Sequence, residues 1–351
     1  MISKIKSKLF KSSKNYSIDD IKNKISVLTK DHKVIAMCPQ PTGGNWKGVN
    51  IATSSMFHNQ WLEIPQYYSN QVVSDEHFSE ILIYFKNQGG EAIILNGFPA
   101  YFTKVVVMAK EHGLRVATVF SGGLSEFVGR EKETISLNHI IRLKKEGKID
   151  RVAIMKVGLD LCLQDILKDK IYRIHPFAHK LNIASKSLDS DKVHIGVLSN
   201  ESYNKNRHNQ IAAALSIENS LIHIAGNNEF SYWGENDRII AHEDLNREDF
   251  LSLLGSMDIN LYISYSESWG QVITESISLG VPCLASNNSG IFDYNQKLKN
   301  SLLVNDYDNP FEIAKRIKSV LGMDLKDEYL SFLKSLNTGA EKLVHEFKDG
   351  L

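Results

Sequence analysis

Short apolar runs alternate with helix-like stretches along almost the whole chain, and the alternation stops once and then restarts. KVIAMC (33–38), EAIILN (91–96), LRVATVF (114–120), RVAIMKV (151–157) and KIYRIH (170–175) read as strands. Candidate helices lie between several of them, over 48–58, 74–88, 100–112, 133–147 and 158–168. Strands that are apolar on nearly every residue are covered on both faces, and strands separated by helices pair in parallel. The polar stretch KLNIASKSLDSDK (180–192) interrupts this pattern as a linker would. It resumes with VHIGVLS (193–199), a helix over 206–218, SLIHIAG (220–226), RIIAH (238–242), a helix over 246–256 and INLYIS (259–264). SLLV (301–304) is the last expected strand, and a helix over 309–321 follows it. The expected architecture is α/β, with two doubly wound, Rossmann-like domains at 31–179 and 193–325 facing each other across a cleft. A basic segment (1–30) precedes them. One or two helices within 326–351 follow, with a path back to the first domain open to them.

Composition narrows the function. At 351 residues, 42% of them hydrophobic, the chain is long enough for two ordinary domains. Lys plus Arg (41) balances Asp plus Glu (41), so no overall field argues for a nucleic-acid partner. Cys38, Cys162 and Cys283 lie scattered in apolar contexts, which reads as reduced core thiols of a cytoplasmic protein. No apolar run approaches the length of a membrane span, and no signal-peptide core is present. One segment is charge-biased. MISKIKSKLFKSSK carries Lys4, Lys6, Lys8, Lys11 and Lys14 among Ile2, Ile5, Leu9 and Phe10, with no acid. It reads either as a basic helix on an anionic membrane surface, at its cytoplasmic face, or as a solvated tail.

The chemistry concentrates in ESWGQVITE (267–275), which sets Glu267 and Glu275 eight positions apart across a Trp-Gly loop that opens a helix. INLYIS precedes it. SLGVPCLAS (278–286) follows, with Gly280 as helix stop, Pro282 as breaker and a strand from Cys283 to Ser286. A strand end feeding a helix N-terminus gathers free N–H groups and the positive end of the helix dipole, which favours phosphate. Carboxylates favour hydroxyls. A ligand with both phosphates and sugar hydroxyls fits the segment best.

From Ile259 to Asp293 the chain resembles the donor-binding signature of GT-B glycosyltransferases, closest to the large retaining group called family 4. The shared order is apolar strand, Ser, Glu, aromatic-Gly, helix with a second Glu, Gly-x-Pro, strand and a glycine loop at Gly290 that ends in an acid. The resemblance implies a metal-independent transferase that moves a sugar from a nucleotide-sugar donor to an acceptor hydroxyl with retention. Ser268, Trp269, Gly270, Gln271 and Val272 would hold the diphosphate on backbone N–H groups. Glu275 would accept the ribose hydroxyls, and Glu267 would face the transferred sugar. Gly43 and Gly44, after the first strand, would approach the ligand or form an ordinary turn. Lys205 would neutralise the departing diphosphate; Arg207 would assist it or be a solvated helix-start charge.

The chain departs from the family pattern twice. Val197 follows the strand glycine Gly196 where relatives carry Arg, and Lys205-Asn206 replaces Lys-Gly. Where many relatives carry a His facing the sugar, this chain reads Phe120-Ser121-Gly122-Gly123; His139 and His175 read as core or surface histidines. Asp189-Ser190-Asp191 and Asp306-Tyr307-Asp308 read as turns rather than metal triplets. No cofactor and no metal are expected. The expected acceptor is a glycan, a lipid-linked species or a protein, in bacterial surface polysaccharide or glycoconjugate synthesis. The alternatives on this fold are a nucleotide-sugar epimerase and a non-catalytic partner subunit.

Overall fold

The computed structural model describes residues 17–41, 46–65, 74–124, 131–188, 191–227 and 236–351, with the backbone alone at 131–133 and 236. They divide into two units. The first takes the described residues of Met1–Gly122, Glu126–Phe177 and Ala340–Leu351, and the second those of Gly123–Ser125 and Ala178–Gly339. The lysine-rich start lies outside the described residues, as do Gly43, Gly44, Asp189 and Ser190.

Unit 1 is a parallel six-stranded sheet in the order β2-β1-β3-β4-β5-β6. Its strands are β1 (Val34–Pro39), β2 (Trp61–Ile64), β3 (Ala92–Asn96), β4 (Arg115–Phe120), β5 (Arg151–Ile154) and β6 (Ile171–Arg173). Each central strand is buried on consecutive residues, as a sheet covered on both faces requires. The helices are α1 (Ile18–Leu28), α2 (Lys47–Phe57), α3 (Asp75–Asn87), α4 (Phe102–Glu111), α5 (Glu131–Lys145) and α6 (Leu159–Leu167). Helix α1 starts at a capping box, with the Asp20 N–H donating to Ser17 Oγ and the Ser17 N–H returning to Asp20. It buries Ile21 and Ile25, one turn apart, so folded chain begins inside the segment that charge alone sets off as 1–30. Strand β2 is missing from the sequence reading because Glu63 interrupts an already short apolar run.

Cys162 is exposed on α6, against the expectation of a core thiol. That helix buries Leu159 and Leu163 at helical spacing, which turns Cys162 off the buried face. Unit 1 also contains residues 340–351. Phe347 is fully buried with its ring 5.6 Å from that of Tyr172, Arg151 Nη1 donates to the Phe347 carbonyl at 2.8 Å, and Arg115 Nη1 donates to the Gly350 carbonyl at 3.0 Å.

Unit 2 is a second parallel sheet, in the order β12-β11-β10-β7-β8-β9. Its strands are β7 (Val193–Val197), β8 (Ser220–Ala225), β9 (Ile239–His242), β10 (Ile259–Tyr262), β11 (Cys283–Ser286) and β12 (Leu303–Val304). The helices are α7 (Arg207–Leu215), α8 (Arg247–Leu254), α9 (Gln271–Ser278), α10 (Gln296–Leu302), α11 (Pro310–Val320) and α12 (Lys326–Lys348), the last continuing into unit 1. SLLV is not one strand. Asn295 caps α10 by accepting the Leu298 N–H at 2.9 Å, and that helix runs through Leu302, leaving two residues for β12. The tail is a single helix. Among the described residues, no helix is long and apolar enough to cross a membrane.

Candidate active site

The order of the second sheet reverses between β7 and β10, which are hydrogen-bonded neighbours although two other strands separate them in sequence. The carboxyl ends of strands at such a switch point splay their following loops apart, and ligands of doubly wound sheets bind there. Gly196 makes this contact possible, since a Cβ on it would stand 2.2 Å from Asn260 Oδ1. The loops leaving the two strands are then joined. The Tyr265 N–H donates to Asn204 O at 2.8 Å, Asn204 Nδ2 donates to Ser266 O at 3.2 Å, and Gln210 spans both loops. The Gln210 amide donates to Lys205 O at 2.6 Å and accepts the Ile263 N–H at 2.9 Å. Asn206, at the glycine position of the resembled pattern, has φ of 53° and donates through Nδ2 to Tyr307 O at 2.6 Å. Asn is the side chain best suited to the left-handed region after Gly, so this departure preserves the backbone geometry.

This framework brings Lys205 and Glu267 into direct contact as a buried ion pair. Lys205 Nζ also donates to the Tyr262 hydroxyl at 2.8 Å. Burial alone would lower the lysine pKa, but Tyr262 and Glu267 outweigh it and hold Lys205 above the ordinary lysine range. Burial, with the Glu267 charge beside it, pushes the Tyr262 phenol up and keeps it neutral. Glu267 Oε1 accepts the Ser268 N–H at 3.2 Å. The result is one cation and one carboxylate at the switch point, each held from several sides.

Immediately beyond lies the start of α9. Gly270 is its N-cap with φ of 89°, and a Cβ there would meet Ile273 Cδ1 at 2.8 Å. Ser268 and Trp269 are buried, while Gln271 and Val272 form the half-buried first turn, whose N–H groups have no carbonyl one turn back within the helix. Trp269 is therefore a packing residue of the loop. Glu275, one turn further on, is only 8% exposed, and the Arg247 guanidinium of α8 grips it through both nitrogens. Burial raises the Glu275 pKa, and Arg247 opposes that shift. Gly290 (φ 68°) caps a short turn, Ile291–Tyr294, after β11. Its loop is tied back to the end of β10, because Ser286 Oγ and Asn288 Nδ2 donate to Ser264 O at 2.6 and 2.7 Å.

Arg207 stands apart from this cluster. It is buried, donates to Ala225 O at the end of β8 at 3.1 Å and pairs with Glu201 at 3.7 Å. Asp308 accepts from the Tyr265 hydroxyl at 2.9 Å and from Asn209 Nδ2 at 2.8 Å, and Asp306 accepts from Asn309 Nδ2 at 3.0 Å, as in a structured turn. Among the described residues no cluster of His, Cys, Asp or Glu has the arrangement of a metal site. His139 meets Thr103 Oγ1 at 3.2 Å, and His175 is fully buried with Nδ1 3.0 Å from the Pro176 carbonyl. A row of imidazoles crosses β7, β8 and β9, with His194–His223 and His223–His242 each joined at 2.9 Å.

Residues 180–331 match the family model for glycosyl transferases group 1. That match spans 152 of the chain's 351 residues, all within unit 2, and the chain has the GT-B fold of two Rossmann-like units. Three solved structures share that fold. HepE of Anabaena in complex with UDP has 13% identity and a TM-score of 0.63, over 91% of this chain and 96% of HepE. An α,α-trehalose-phosphate synthase (UDP-forming) from Burkholderia xenovorans, in complex with glucose-6-phosphate, has 10% identity and a TM-score of 0.59, over 89% and 98% of the two chains. Sucrose-phosphate synthase from Thermosynechococcus elongatus has 12% identity and a TM-score of 0.56, over 90% and 95%. No curated protein sequence matches the chain.

Sequence reasoning missed three residues of this candidate site. Tyr262 sits inside the apolar run INLYIS and reads as core; only its hydroxyl, at the last position of β10, marks it as polar. Arg247 lies in a helix start crowded with charges, RED, where nothing local distinguishes it from a solvated residue. Gln210 signals itself weakly, as an amide on the buried face of α7.

Proposed function

We propose that this protein is a glycosyltransferase that moves a sugar from a nucleoside-diphosphate sugar to an acceptor hydroxyl with retention of configuration and without a metal ion. The observation that carries the reading is the Lys205–Glu267–Tyr262 cluster at the switch point, directly ahead of the N-terminus of α9. Backbone N–H groups of Ser268–Val272 and the Lys205 ammonium receive the diphosphate, supplying fixed positive charge where negative charge develops on the leaving group. Glu267 accepts hydroxyls of the transferred sugar and stands by the cationic anomeric carbon. Glu275 takes the ribose hydroxyls. The new bond from acceptor oxygen to anomeric carbon forms as the bond to phosphate breaks, and the acceptor proton passes to the departing phosphate oxygen on the same face. The protein's part is to position the reactants and to stabilise charge.

The UDP named for HepE and for the UDP-forming synthase supports uridine nucleotides as the first donors to try. Family resemblance supports an acceptor on a glycan, a lipid-linked saccharide or a protein, within bacterial surface glycan synthesis. The lysines of residues 1–14 support a seat on anionic lipid, where each contributes on the order of 1 kcal/mol. Purified protein incubated with a panel of nucleotide sugars should release free sugar and nucleoside diphosphate slowly from one of them, with the released sugar in the donor's anomeric configuration. Release with inversion would remove the retaining assignment, and inertness toward every donor would remove the transferase mechanism. Sedimentation with anionic liposomes at low salt, lost on deletion of residues 1–14, tests the membrane seat.

A further inference from the structure

Both oxygens of the Glu275 carboxylate are occupied by one side chain. Arg247 Nη1 donates to Oε2 at 3.2 Å, and Nη2 makes a closer contact with Oε1. The partners are held very differently. Glu275 is buried within α9, whereas the Arg247 side chain is 46% exposed and springs from the first position of α8. In the same conformation the guanidinium carbon is 5.9 Å from the centre of the Phe250 ring, on the same helix.

We infer that Arg247 is a latch on the donor site, holding the two acceptor positions of Glu275 that a nucleotide's ribose diol takes when it displaces the guanidinium. The inference rests on the donor-site reading of Glu275. Its physical basis is a match of geometry. A guanidinium fork presents two N–H groups side by side to the two oxygens of a carboxylate, and a cis-diol presents two O–H groups in the same pairwise manner. A buried carboxylate left without donors is costly, and the latch removes that state, since one pair of donors replaces another. The exposed arginine is the partner free to leave; the helix-borne glutamate stays. Part of the nucleotide's binding energy is then used to open the pair, so the nucleoside diphosphate product is held less tightly and departs sooner.

The test is calorimetric titration of the full chain with UDP, at pH 7.5 and pH 5.5, for wild type, Arg247→Ala, Glu275→Ala and the double variant. Arg247→Ala should bind UDP about five-fold more tightly at pH 7.5, the fold-change that corresponds to releasing one partly exposed ion pair. The gain should shrink at pH 5.5, because burial raises the Glu275 pKa and the loss of Arg247 leaves that rise unopposed. It should vanish in the Glu275→Ala background and with 2′-deoxyuridine diphosphate, which lacks the diol. Arg247→Gln, which keeps the stem and removes the charge, should repeat the pattern if the alanine variant is poorly folded. Weaker UDP binding by Arg247→Ala and Arg247→Gln would overturn the latch, because it would make Arg247 a direct ligand of the nucleotide. An equal gain in the Glu275→Ala background would overturn it too. Wild-type affinity retained by Glu275→Ala would instead remove the donor-site reading of Glu275 and the latch with it.

Discussion

Acidification should destabilise unit 1 well before its carboxylates titrate, because of His175. This imidazole is fully buried, and burial lowers its pKa from 6.5 to about 4; the Pro176 carbonyl it faces opposes the shift and the Arg173 charge adds to it. In the unfolded chain the ring returns to its ordinary value. The folded state therefore favours neutral His175, and its contribution is complete above pH 6.5 and declines as pH falls from there toward 4. Between those limits the unfolded chain binds a proton that the folded chain refuses. The loss amounts to about 2 kcal/mol at pH 5 and about 3 kcal/mol at pH 4. For a unit of this size, about 2 kcal/mol is roughly 4–8 °C in melting temperature. Differential scanning calorimetry of wild type and His175→Phe at pH 7.5, 6 and 5 should show the wild-type transition of unit 1 falling faster, by that amount, whatever the offset at pH 7.5. The His175 ring resonances should not move between pH 7.5 and pH 5.5. Parallel slopes for the two proteins, or a His175 resonance that titrates near 6.5 in the folded state, would refute the reasoning. His223, also pushed down to about 4 by burial and by its neighbours His242 and His194, acts with the same sign on the transition of unit 2.

Lys205→Ala should cost about 3–5 kcal/mol of stability, because it strands the buried Glu267 charge. Lys205→Met combined with Glu267→Gln should recover most of the melting temperature while donor turnover stays at least about 100-fold below wild type. Incubation with EDTA should leave donor hydrolysis unchanged; activity lost on chelation and restored by manganese or magnesium would contradict a metal-free site. Asn206→Ala should lower stability by about 1–2 kcal/mol, since alanine pays the left-handed penalty and loses the bond to Tyr307, whereas Asn206→Gly should lose only that bond. Urea midpoints for the two variants separate these terms.

The elements most legible in the sequence were those with strong period and length. The buried strands and the helices between them followed from apolar runs too regular to serve any other architecture. Where helix and strand share a composition the reading blurred. SLLV is apolar enough for either, and the capping bond at Asn295, which decides the matter, depends on backbone geometry that a residue string does not state. The candidate residues were legible in the sequence; their partners were not. Glu267 and Lys205 stood out through their loops, and Glu275 through its place in the helix that follows. That Lys205 meets Glu267, and that Arg247 meets Glu275, depends on the lateral order of strands and on contacts spanning many residues, which only the folded sheet fixes.

The path of α12 into unit 1 has a consequence for the order in which the chain is made. Translation delivers β5 and β6 long before Phe347, yet Tyr172 and Arg151 take it as their partner. A nascent chain thus carries the first sheet with part of its cover missing while the whole of the second sheet is synthesised. Unit 1 reaches its finished state only after residues 340–351 are made, so a ribosome that stops before them releases a protein whose first-made unit is the unfinished one.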